Sequence, residues 1–73
     1  MPKLPALSCK DLLRILKKAG FDEHRQKGSH IILRKGGVRV VIPCHGNRDL
    51  KKGTALAILE QAGISSEDAI KLL

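Results

Sequence analysis

A chain of 73 residues makes one domain, spanning 1–73, and its size leaves no room for a deep cofactor pocket. Its 14 Lys and Arg against 7 Asp and Glu give a formal charge of +7, an excess that draws polyanions, nucleic acid above all. Phe21 is its one aromatic residue, so stacking on bases is excluded as the main mode of recognition. An RNA partner is then held through phosphates, 2′-hydroxyls and backbone shape. No apolar run approaches membrane-spanning length, the start lacks an apolar signal core, and no long basic amphipathic helix suits a membrane surface. Two cysteines, Cys9 and Cys44, are too few for a disulfide-stapled secreted domain, so the expected location is a reducing cytoplasm.

Ser8 opens the first element, with Asp11 three residues on in the manner of a capping box with a shorter acid. Cys9, Leu12, Leu13, Leu16 and Ala19 recur at helical spacing, with Lys10, Arg14, Lys17 and Lys18 largely on the other side. A helix is predicted from about Ser8 to Ala19, stopped by Gly20, with Phe21 folding back on it. Phe21 to Lys27 is polar and reads as a weak edge strand. After Gly28, Ser29 to Arg34 reads as a stronger strand and Lys35-Gly36-Gly37 as a tight turn. Val38 to Ile42 reads as its β-branched partner, closed by Pro43.

Alternation sorts the hairpin's faces. Ile31 and Leu33 join Val38, Val40 and Ile42 toward the helices; His30, Ile32, Arg34, Arg39 and Val41 point to the open side. Pro43 to Leu50 is a polar loop. A second helix begins near Lys52 to Thr54 and ends at Gly63, with Ala55, Leu56, Ile58, Leu59 and Ala62 as its buried stripe. Ser65 with Asp68 opens a short final helix through Leu73. The order is α-β-β-β-α plus a terminal helical turn. It predicts an α+β fold like that of a double-stranded-RNA-binding domain: a three-stranded antiparallel sheet with both main helices on one face.

Gly28-Ser29-His30 opens the second strand, and Pro43-x-His45 follows the third. Leu50, Lys52-Gly53-Thr54, Ile58-Leu59 and Ala62-Gly63-Ile64 come next, and Ala19-Gly20-Phe21 with Arg25-Gln26 precede. In this order the segments resemble the HicA toxin family over roughly Leu12 to Ala69. The resemblance implies a toxin of a type II toxin–antitoxin pair that cleaves mRNA and is neutralised by a HicB-type antitoxin protein. It places the family's catalytic histidine on His30. Leu33 and Ala55 depart from residues common in the family, but neither bears on the chemistry.

RNA cleavage without metal uses the substrate's own 2′-hydroxyl as nucleophile. It needs proton transfers, for which histidine is suited, and cations to offset charge on the phosphorane. His30 is the candidate for the first task and Arg34 and Arg39 for the second. Ser29 is placed to bond a phosphate or orient the histidine, and Gly28 to let backbone approach. His45 could serve a second proton transfer, phosphate binding or helix capping. Lys52 adds charge at a helix N-terminus. His24 reads as solvated surface. No metal or other cofactor is expected: Cys44 and His45 are adjacent, and Cys9 and His24 lack ligand spacing. Ile32 and Val41 are expected to be exposed apolar residues for antitoxin docking, on a chain that is monomeric when free. The alternative is a non-catalytic RNA-binding module of the same fold.

Overall fold

The computed structural model describes residues 4–44, 46 and 48–73. Its elements run α1 (Cys9–Lys18), β1 (Asp22–Lys27), β2 (His30–Lys35), β3 (Val38–Pro43), α2 (Lys52–Ala62) and α3 (Ser66–Leu72). The strands form an antiparallel sheet in the order β1-β2-β3. This is the predicted α+β layout, with the double-stranded-RNA-binding-domain arrangement of strands and helices.

Local chemistry sets the boundaries of α1. The Ser8 hydroxyl accepts from the Asp11 amide at 3.2 Å, and the Asp11 carboxylate accepts from the Ser8 amide at 3.0 Å. At the other end, Phe21 and Gly20 amides donate to Leu16 and Lys17 carbonyls at 2.9 and 3.1 Å. That pattern turns the chain back and seats Phe21 in the core. Lys35 reaches across from β2 and donates from Nζ to the Ala19 carbonyl at 2.7 Å, so its charge serves the helix C-terminus.

Both hairpins close through two-residue loops, Gly28-Ser29 and Gly36-Gly37. Gly28 and Gly36 have φ of 61° and 58°, a left-handed conformation that a side chain disfavours and that two-residue hairpins require. A Cβ on Gly28 would meet none of the protein's own atoms within 4 Å, so within the chain it is the turn that requires glycine there.

The core lies between one sheet face and the helices. Leu33, Val40, Ile42 and Ile31 pack with Leu12, Ile15 and Leu16 of α1 and with Ala55, Ile58 and Leu59 of α2. Val38, assigned to this set by alternation, is exposed at the hairpin end beyond the helices. Leu56, expected in the buried stripe of α2, is 37% exposed. It stands one residue, about 100°, around the helix from Ala55, off the stripe of Ala55, Ile58 and Leu59. Leu4 and Leu7 add core contacts that no periodicity announced. Their segment is held by a backbone bond from Leu50 to Leu7 of 2.8 Å and by the Ser8–Asp49 bridge.

The cysteines depart from expectation. Cys9, at the start of α1, and Cys44, just after β3, are joined in a disulfide with Cα atoms 5.3 Å apart. Their separation of 35 residues carries no motif, so only the fold shows that they meet.

Candidate nucleic-acid interface

The sheet face away from the helices carries most of the residues singled out from the sequence. Antiparallel register arranges them in rows across the strands. His30 lies between Lys27 and Pro43, Ile32 between Arg25 and Val41, and Arg34 between Asp22 and Arg39. His30 is the first residue of β2, directly after the Gly28-Ser29 turn, so the tripeptide motif is a hairpin turn that delivers a histidine to one end of the sheet. His30, Arg34 and Arg39 are exposed. The rows of His30 and Arg34 are four residues apart on β2, about 13 Å at the usual strand rise.

Ser29 is half-buried, and its carbonyl accepts from the Cys44 amide at 2.6 Å. The motif is thereby tied to the residue that the disulfide anchors to α1. His45, the second candidate histidine, lies outside the described residues.

Ile32 corrects an expectation. It points to the open face as predicted, yet it is only 8% exposed and stands outside the main core cluster. The long side chains around it cover it. It floors a hollow of about 330 Å³ lined also by His24, Arg25, Lys27, Arg34 and Arg39. Val41 is half-buried, so neither residue is a freely exposed docking knob.

His24 enters this hollow through an irregularity. The β1–β2 register slips between Glu23 and Arg25, leaving His24 as an extra residue, and His24 and Arg25 both line the same hollow. An all-polar strand, Asp-Glu-His-Arg-Gln-Lys, has no apolar alternation against which a bulge could be read. Arg25, Lys27 and His24 were therefore not recognisable as site residues from sequence.

Lys52 is not brought to His30. It lines a crevice with Leu4, Leu7 and Leu50 beside the N-terminal segment. Lys51 and Arg48 instead share a hollow of about 480 Å³ with Pro43, the cross-strand neighbour of His30. Among the described residues no three His, Cys, Asp or Glu side chains gather as a possible metal-ligand set. Nor is any helix of these residues long and apolar enough to cross a membrane.

A search of curated proteins found no match. A family model, described as the HicA toxin of bacterial toxin-antitoxin systems, matches residues 9–64. That span takes in α1, the whole sheet with its basic open face, and α2, so the chain belongs to the HicA toxin family.

Proposed function

We propose that this toxin acts as an endoribonuclease on mRNA, with His30 as its catalytic residue and the whole of residues 1–73 as the functional unit. The observation that carries this reading is the setting of His30: exposed at the end of an uncovered sheet face, in a row with Lys27 and ahead of Arg25, Arg34 and Arg39. His30 transfers a proton at the 2′-hydroxyl or the leaving 5′-oxygen. Ser29 orients it or bonds a phosphate, and the arginines hold the RNA strand. His45 and Lys52 contribute, in this reading, further contacts to RNA. The reaction needs no metal or other cofactor.

The setting is the cytoplasm, where mRNA is found. The partner is a HicB-type antitoxin that buries the His30 row together with Ile32 and Val41 and so blocks RNA competitively. The chain's +7 charge favours an acidic partner and fast association. The free chain is monomeric.

Inducible expression tests the reading. Wild-type chain arrests growth and fragments mRNA within the same interval, and co-expressed antitoxin reverses both. Growth arrest with intact mRNA would contradict nuclease action. RNA binding without any cleavage by the purified chain would favour a binding module of the same fold.

A further inference from the structure

The hollow over Ile32 is electrostatically one-sided. Arg25, Lys27, Arg34 and Arg39 line it together with His24, and no carboxylate is among its lining residues. Arg34 and Arg39 are direct cross-strand partners, an arrangement of like charges that disfavours the sheet. Asp22 is next to Arg34 in the same row, yet it does not line the hollow and makes no ion pair with either arginine. The β1 bulge adds to the crowding by directing His24 and Arg25 to one side. An empty sheet face gains nothing from this grouping; a bound anion would relieve it.

We infer that this hollow is a phosphate subsite for the RNA strand, separate from the point of cleavage. This deepens the nuclease reading and rests on it. The arginine forks match a phosphodiester's paired oxygens. Lys27 belongs both to the hollow and to the row of His30, so the two places are continuous. The Arg34 row lies about 13 Å from the His30 row, too far for one phosphate to serve both. The hollow therefore holds a neighbouring phosphate of the same strand and fixes which nucleotide reaches His30. With no exposed aromatic to stack bases, such phosphate contacts set the register.

The test uses the full-length His30→Ala chain, so that RNA is bound and not cut. Binding of a labelled single-stranded RNA is measured against salt, with and without Arg25→Gln and Arg39→Gln together. The pair is expected to weaken binding at least tenfold at low salt. It should also flatten the log–log salt slope by about 1.4, two contacts at roughly 0.7 each on a single strand. The melting temperature should stay level or rise, since a like-charge contact is relieved. Arg39→Lys, which keeps the charge, should retain most of the slope. An unchanged slope in the folded double variant would overturn the subsite, as would failure of the parent His30→Ala chain to bind RNA. So would a hexaglutamate peptide that displaces RNA as well as an unlabelled RNA of equal charge, because the hollow would then be a surface for acidic protein. RNA binding that depends on Arg25 and Arg39 in a wild-type chain that cuts no RNA would refute the nuclease reading while leaving the subsite intact.

Discussion

His30→Ala is expected to slow RNA cleavage by about 10²–10⁴-fold, the range that one positioned acid–base group supplies. The same change should move the melting temperature by no more than about 4 °C. The two expectations come from one feature. His30 is exposed at the first residue of β2 and belongs to no part of the core cluster, so truncating it opens no cavity. The turn that presents it is set by Gly28 and Ser29, which the substitution leaves alone. RNA affinity should fall little, because Arg25, Lys27, Arg34 and Arg39 remain. Rates and affinities measured side by side on the purified variant check this. A folded variant that cleaves at the wild-type rate would remove His30 from the mechanism.

Breaking the Cys9–Cys44 disulfide is expected to lower stability by about 3–4 kcal/mol, the loop-closure value for its separation of 35 residues. A chain of 73 residues has on the order of 4–11 kcal/mol in all, so the loss is a large fraction of the total. Urea titrations of the oxidised chain, the chain in excess reductant and Cys44→Ala measure it. At a slope of about 1–2 kcal/mol per molar, the midpoint should fall by roughly 1.5–4 M in both altered forms. Cys44 also donates its amide to Ser29, a backbone bond that does not depend on the bridge, so the reduced chain that a cytoplasm holds should keep the His30 turn and cleave RNA while it stays folded. Equal midpoints in oxidant and reductant would mean that the bridge contributes nothing to the fold.

Where a residue pattern is strictly local, the sequence was a sufficient guide. The Ser8–Asp11 box, the Gly20–Phe21 turn and the Ser65 cap each depend on residues within a few positions, and each formed as read. The β2–β3 hairpin was legible for a similar reason: two glycines between apolar runs fix the loop, and the loop fixes the register. Long-range pairing left no comparable mark. Cys9 and Cys44 meet only because α1 packs across the end of β3. Ile32 looked exposed because alternation reports a face and not what neighbouring arginines cover. The bulge at His24 was hidden for want of any hydrophobic phase in β1. Lys52 was read from its place at a helix N-terminus, which does not tell which crevice a side chain there lines; Lys52 and its neighbour Lys51 line different ones.

The central claim is that the chain cuts RNA through the substrate's own 2′-hydroxyl, with histidine moving the protons. Product analysis tests it most directly. Purified wild-type chain is incubated with an end-labelled RNA in excess chelator, and the new termini are identified by mass. The expected result is undiminished cleavage that leaves a 2′,3′-cyclic phosphate, or the 3′-phosphate from its hydrolysis. A single 2′-deoxynucleotide should abolish cutting at its own position and nowhere else. Strict dependence on magnesium, 5′-phosphate termini, or cleavage that continues at the deoxy position would contradict the mechanism.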